Sequence, residues 1–279
     1  MIDQPTTTAL VPWFGCARMI AERVGQLIGK QRWVGVPFAG GMPELLYIDA
    51  PTIAVNDLHW QVVNLARVCA DPVLGPRLYR RLRRLLFHPA VLREAQERCQ
   101  AYRWNSPAPL LPQAEDYFVA CWMRCSGKSG IDGEFNGRLS VRWNGNGGDS
   151  NTRYRSAVKS LIAWRRILQR CNFTALDAFA FLAKVQDEPG HALYCDPPFF
   201  GPGDRYRYKF TESQHRQLAE VLSGYTNVRV VVRYYDVPLV RELYPVERWQ
   251  WNEIVGRKQS NAVAAEVLLT NEKRGRLFD

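Results

Sequence analysis

The densest set of chemically competent groups in this chain is the run Tyr194-Cys195-Asp196-Pro197-Pro198-Phe199. Ala192 to Cys195 predicts a short strand, so Asp196 stands at a strand's carboxyl end, where open α/β sheets bind their ligands. Pro197 and Pro198 lack an N–H and hold the chain extended, which leaves nearby carbonyls available as acceptors. A carboxylate, a proline carbonyl and an adjoining aromatic face suit an amino-substituted planar base. The acceptors take the amino hydrogens and keep the nitrogen lone pair available for attack, while the ring stacks on the base. A rigid turn with a capping aspartate is the plainer alternative, and for Asp-Pro alone it is the commoner one.

A second set lies near the start. Pro37-Phe38-Ala39-Gly40-Gly41 closes the apolar run from Trp33 to Phe38, and glycines there let backbone approach a ligand closely. Asn56-Asp57 ends the next apolar run, where an acid can accept from two ribose hydroxyls. Trp13 could cover part of a bound ligand, and it could equally be a core tryptophan. Two motifs fail. Ser126-Gly127-Lys128-Ser129 has Trp122 where a phosphate loop needs glycine, and no Gly-x-Gly-x-x-Gly follows the first strand.

These residues need a sheet to carry them. Helical spacing over 16–28, strands over 33–38 and 52–55 and a helix through Val62 to Leu65 predict a doubly wound α/β sheet. The pattern changes near residue 72. Residues 76–104 predict a basic helix, 126–151 a Gly/Asn/Ser-rich hairpin around Arg138 to Trp143, 153–170 a further basic helix and 174–185 another. Alternation resumes at Ala192, with a β-branched run at Val228 to Val232 and a last strand at Ala264 to Thr270. Residues 1–71 and 189–279 therefore read as one catalytic domain, interrupted by an insertion over 72–188.

Composition narrows the partners. A net charge of +10 favours a polyanion, because each phosphate met by Lys or Arg releases a counterion. Arg77, Arg80, Arg81 and Arg84 on the predicted basic helix, with Arg138 and Arg142 on the hairpin, are the candidate DNA contacts; a solvated helix face is the alternative for any one of them. No stretch approaches the ~18 apolar residues of a membrane span, and the first residues lack a signal-peptide layout. Seven cysteines without a Cys-x-x-Cys pair and four scattered histidines predict reduced thiols in a cytoplasmic protein, with neither disulfides nor a metal site. Nothing in the sequence selects between monomer and dimer.

Asp196-Pro197-Pro198-Phe199 resembles the Asp-Pro-Pro-Tyr/Phe motif of amino-directed DNA methyltransferases. The order of motifs resembles the Dam-like, alpha-group DNA adenine-N6 methyltransferases, in which the cofactor motif precedes an inserted target-recognition domain and the catalytic motif follows it. Pro37 to Gly41 is similar to that family's Pro-Phe-x-Gly-x-Gly loop, Asn56-Asp57 to its ribose-binding acid and Trp13-Phe14-Gly15 to its N-terminal Trp-Ala-Gly-Gly-Lys motif. Leu239 to Tyr244 and Ala265 to Asn271 resemble later stretches of the sheet. The chain departs from the pattern at Val36 (an acid in the family), at Met42 (the last glycine), at Ala17 (the lysine) and at Arg233-Tyr234-Tyr235 (a small polar residue).

The resemblance implies a Rossmann-like methyltransferase sheet with an inserted, mostly helical recognition domain, S-adenosylmethionine as cofactor and duplex DNA as partner. It implies Asp196, Pro197, Pro198 and Phe199 as the catalytic set, and Trp13, Phe38, Ala39, Gly40, Gly41, Asp57 and Asp196 as the cofactor set. The expected reaction is direct attack of a flipped adenine's 6-amino group on the sulfonium methyl. Two alternatives stay open: methylation of the cytosine 4-amino group, and a non-catalytic DNA-binding protein on a degenerate methyltransferase fold.

Overall fold

The computed structural model describes residues 7–103, 108–124, 128–139, 141, 149–200, 202–254 and 265–271. Its sheet has seven strands: β1 (Trp33–Val36), β2 (Thr52–Asn56), β3 (Cys171–Thr174), β4 (His191–Cys195), β5 (Arg229–Tyr235), β6 (Gln250–Glu253) and β7 (Glu266–Thr270). They lie in the order β3-β2-β1-β4-β5-β7-β6. β1 pairs in parallel with β2 and β4, and β4 with β5, whereas β7 runs antiparallel to both β5 and β6. The strand order reverses between β1 and β4. In an open α/β sheet that reversal opens a crevice at the strands' carboxyl ends, with no crossover connection to fill it.

The chain divides into two compact units: Met1–Arg18, Gly40–Leu46 and His59–Ala175 form one, Met19–Ala39, Tyr47–Leu58 and Leu176–Asp279 the other. In the second, Leu193, Cys195, Val230, Val232, Tyr234, Val267 and Leu269 are buried in one cluster. Their period of two assigns them to one face of the sheet. That cluster also contains Leu218, Ala219 and Leu222 of α8 (Glu212–Gly224), Phe181 and Leu182 of α7 (Ala178–Leu182) and Val240 of α9 (Pro238–Leu243). α1 (Ala21–Ile28) packs against β4 and β5 through its buried side, Ala21, Val24 and Ile28.

The first unit is a bundle of five helices, α2 (Trp60–Ala70), α3 (Leu74–Arg84), α4 (Pro89–Ala101), α5 (Leu111–Trp122) and α6 (Ser150–Leu168). Its bounds differ from the sequence division at 72 and 188, because α2 packs against α5 and α6. The single helix predicted over 76–104 is two helices. Pro89 cannot continue a helix from the preceding turn but suits the first turn of a new one, which His88 caps by accepting from the Ala90 N–H. The helix predicted over 174–185 is shorter, since Cys171–Thr174 is a strand and Asp177 caps α7 through the N–H groups of Phe179 and Ala180. β6 gave no sequence signal. The strand predicted at Arg138 to Trp143 falls largely outside the described residues.

His215 of α8 is 1% exposed, with Nδ1 2.7 Å from the Tyr234 hydroxyl and its ring 4.8 Å from that of Phe210. Burial lowers its pKa from 6.5 to about 4. The unfolded chain therefore binds the proton first, and stability falls as pH drops from 6.5 towards 4, by up to about 3 kcal/mol. Urea unfolding at pH 7 and pH 4.5 should show that loss in the wild type and a flatter pH dependence in His215→Gln. Equal slopes in the two proteins would exclude His215 as the source.

Candidate active site

The reversal point brings together the ends of β1 and β4, and both sequence-predicted motifs begin there. Val36 pairs with Val55 in register, so Phe38 and Asp57 follow at equivalent positions on adjacent strands. Asn56 ties this edge down. Its Nδ2 donates to the carbonyls of Pro37 (3.1 Å) and Leu176 (3.0 Å), its Oδ1 accepts from Leu176 N–H (2.8 Å), and its backbone carbonyl accepts from Ala39 N–H (3.0 Å). Asn56 is fully buried and Asp57 half-buried beside it. Phe38 meets Phe210 edge-on at 5.6 Å, and Phe210 stacks on Phe179 at 5.9 Å. The aromatic and the acid thus each follow the end of one of two adjacent strands.

Within the helical unit, Trp13 is half-buried and its position is set by two glycines. A Cβ on Gly40 would come within 2.8 Å of the indole Nε1, and one on Gly130 within 2.4 Å of its ring. Both glycines also have positive φ, +46° and +82°. The indole lies edge-on to His59 at 5.4 Å. His59 Nε2 is 2.7 Å from Glu134 Oε1, while Glu134 Oε2 accepts from Gly130 N–H at 2.8 Å. His59, Gly130 and Glu134 were invisible in the sequence, because their relation to Trp13 is purely spatial. Met42 replaces the family's last glycine, yet it keeps a left-handed backbone at φ +61° and is fully buried. The substitution therefore preserves the turn; the side chain's burial offsets a strain of roughly 1–2 kcal/mol. Ala17 is buried and Arg18 exposed.

At the end of β4, Pro197 is buried and Asp196, Pro198 and Phe199 are half-buried. Register pairs Cys195 with Val232, so Asp196 and Arg233 are the next neighbours across the strands. Arg233 NH1 donates to Asp196 Oδ2 at 3.0 Å, and its NH2 donates to Glu266 Oε2 at 2.8 Å. The guanidinium also sits 5.0 Å from the centre of the Phe199 ring, which meets Tyr235 edge-on at 4.7 Å. Burial raises the pKa of Asp196, and the Arg233 charge opposes that rise. Burial alone would weaken the Arg233 charge, but Asp196, Tyr194 and Glu266 hold its pKa well above the ordinary range. In the sequence Arg233 stands out only as a departure from the family pattern, a lone arginine in a β-branched run, and Glu266 carries no signal at all.

The predicted basic surface is only partly assembled. Arg77, Arg80, Arg81 and Arg84 of α3 are exposed, but Arg81 is bound to Glu115 in an ion pair that offsets its charge. Arg80 lines a cleft of about 310 Å³ with Tyr79, Leu161, Ile162, Arg165 and Arg166, so α6, the second predicted basic helix, supplies two further arginines. Arg138 is exposed, and Arg142 lies outside the described residues. No group of three or more His, Cys, Asp or Glu residues that could hold a metal occurs among the described residues. No described helix is long and apolar enough to cross a membrane.

A mixed seven-stranded sheet with an amino-directed motif at its reversal point is consistent with a methyltransferase fold. No protein-family model matches the chain. It is similar to the retron Ec67 DNA adenine methylase of Escherichia coli, with 27% identity over 243 residues that cover 85% of this chain and 80% of the relative. That likeness agrees with the motif resemblance to the Dam-like adenine methyltransferases.

Asn56→Ala would leave the Leu176 N–H and two carbonyls without their buried partner, and should cost about 2–4 kcal/mol. Chemical denaturation measures it, and a loss below about 1 kcal/mol would show that Asn56 does not tie this edge.

Proposed function

We propose that this protein is a DNA adenine methyltransferase that acts on the 6-amino group of adenine in duplex DNA. The observation that carries the reading is Asp196-Pro197-Pro198-Phe199 at the carboxyl end of β4, beside β1 at the reversal point of the sheet. The similarity to a DNA adenine methylase supports it along most of the chain. Aspartate at the head of the tetrapeptide, where cytosine enzymes usually have serine, favours adenine.

The edge residues fit a nucleoside cofactor. Asp57 is a half-buried acid suited to a ribose diol, Phe38 is an aromatic neighbour, and the loop after β1 turns through glycines with its path fixed by Asn56. Met42 keeps the left-handed turn, which favours a working loop over a degenerate one. Trp13 supports that loop through Gly40 and Gly41. S-adenosylmethionine, when bound, supplies an electrophilic methyl group. Phe38, Ala39, Gly40, Gly41 and Asp57 are the residues assigned to hold it.

The chain's own part in the reaction is positioning and proton control. A base extruded from the duplex stacks against Phe199 on the face opposite Arg233. Asp196 and the Pro197 carbonyl accept the two amino hydrogens, which draws the nitrogen lone pair out of conjugation with the ring. The proton displaced by methylation leaves from that nitrogen along the hydrogen bond it already makes. Arg77, Arg80, Arg84, Arg138, Arg142, Arg165 and Arg166 are assigned to the DNA backbone and grooves, with α3, α6 and the Gly/Asn-rich segment over 126–151 as the recognition elements.

Incubation of the purified protein with duplex DNA and methyl-labelled S-adenosylmethionine should place the label on adenine. Recovery of the label solely as 4-methylcytosine would reverse the base assignment. Asp196→Ala should abolish transfer while DNA affinity stays within about threefold, because the carboxylate meets the base and no phosphate. Near-normal turnover in that variant would remove Asp196 from the mechanism. Asp57→Ala should weaken cofactor binding by about 1.5–3 kcal/mol, as expected when hydrogen bonds to a charged acceptor are removed. An unchanged dissociation constant in a cofactor titration would refute the ribose role.

Arg80→Ala with Arg166→Ala should reduce the slope of log K against log salt by about one unit for each phosphate no longer neutralised, with the methylated site unchanged. Binding measured across a salt series, with sequencing of modified sites, tests this. An unaltered slope would take the α3–α6 cleft out of the DNA surface.

A further inference from the structure

We infer that Arg233, backed by Glu266, is a positioning residue for adenine methylation: it fixes Oδ2 of Asp196 and one face of Phe199, so that Oδ1 is the oxygen offered to the substrate's amino group. The inference rests on the reading of Asp196 as the group that meets that amino nitrogen.

Sheet geometry brings the three charges together. Arg233 follows Val232, the register partner of Cys195, and so lies beside Asp196. On the other side Arg233 pairs with Leu268 and Tyr235 with Glu266, which makes Glu266 the diagonal neighbour of Arg233 on the same face. Arg233 is 3% exposed at its side chain, against 18% for Asp196 and 16% for Glu266. A guanidinium so deeply buried is tolerable only when it is paired on more than one edge. Here it is paired twice, with NH1 on Asp196 at 3.0 Å and with NH2 and Nε on Glu266 at 2.8 and 3.3 Å. The Phe199 ring covers it at 5.0 Å. Two carboxylates and one guanidinium leave a single net negative charge beside the catalytic motif.

This arrangement biases the balance between the two forms of Asp196. The ionised carboxylate only accepts, as an amino group requires; the protonated acid presents a donor of its own. Burial and the Glu266 charge favour the acid, whereas Arg233 and the Tyr194 hydroxyl favour the carboxylate. Among the described residues, Cys195, Tyr234 and Tyr235 near Asp196 all have their pKa raised, chiefly by burial, and stay neutral. α1, packed against β4 and β5, turns Ala21, Val24 and Ile28 inward and leaves Glu22 and Arg23 exposed. Among the described residues, Arg233 is therefore the cation that favours the accepting form of Asp196. Without it two buried carboxylates would share the site, and one would take a proton.

The test is the pH dependence of kcat at saturating DNA and S-adenosylmethionine, from pH 5.5 to 9. In Arg233→Met the acid limb should move up by about one pH unit or more, so that kcat at a pH on that limb, below both apparent pKa values, falls roughly tenfold or more, while KM for DNA stays within about threefold. In Glu266→Gln the limb should move the opposite way, since the charge that opposes ionisation is gone. Arg233→Lys should lie between Met and wild type, because an ammonium supplies the charge without the paired geometry. The double variant Arg233→Met with Glu266→Gln should bring the limb back towards wild type.

Loss of packing alone would lower the amount of active protein and leave the limbs superimposed. Coincident limbs in Glu266→Gln, Arg233→Lys and wild type would overturn the inference, even if Arg233→Met does not fold. A wild-type protein that methylates adenine with unshifted variants sinks only this inference. A wild-type protein that methylates no adenine sinks the functional reading beneath it.

Discussion

The direct parallel pairing of β1 with β4, Trp33 against His191 and Gly35 against Leu193, is the constraint on which the site depends. The chain leaves β1 for β2 and β3 on one side, then returns to β4 on the other side of β1. A sheet built this way has one place where consecutive connections diverge, and there the carboxyl ends of two adjacent strands carry no crossover above them. The glycine-bearing loop after β1 and the Asp-Pro-Pro-Phe segment after β4 both start at that edge. Their separation in sequence is large, and a single strand register makes the strand ends they follow neighbours.

Rigidity at this edge comes from buried polar side chains more than from apolar packing. Asn56 substitutes for missing ladder partners by joining the loop after β1 to the segment entering α7. Arg233 joins β4, β5 and β7 through two carboxylates. Each is costly to bury and each has its partners, so the wrong geometry would leave an unsatisfied group in the interior. That penalty restrains the Asp196 side chain. In the helical unit a comparable task falls to the pair His59 and Glu134, with two positive-φ glycines shaped around Trp13.

Charge in this protein works at two scales. The overall surplus of +10 is distributed over exposed arginines, several of them on α3 and α6, and suits a polyanion approached from solvent. Screening by salt limits what such charges do beyond about 10 Å. The Asp196–Arg233–Glu266 cluster is largely buried and less screened, so one guanidinium there acts strongly on the carboxylates it pairs with. Ion pairing also trims the outer surface. Arg81 looked equivalent to its neighbours in the sequence, and Glu115, thirty-four positions away, offsets it.

Much of the sheet was legible from residue pattern, because β1, β2, β4, β5 and β7 are apolar or β-branched runs ended by turn residues. The Asp-Pro-Pro-Phe tetrapeptide and the acid after β2 were legible for a similar reason: each is a local string of distinctive residue types. The break at Pro89 was a local signal that helical periodicity outweighed, and β3 and β6, with four residues each, were too short and too polar to stand out. What the sequence by itself determined is the set of chemical groups and the strands that end in them. Only the tertiary structure decided that Arg233 lies between Asp196 and Glu266, that Met42 keeps a glycine's backbone, and that Gly130 and Glu134 shape the seat of Trp13. Those relations join residues far apart in the chain, and their energies depend on burial and distance, which exist only once the strands and helices have closed around them.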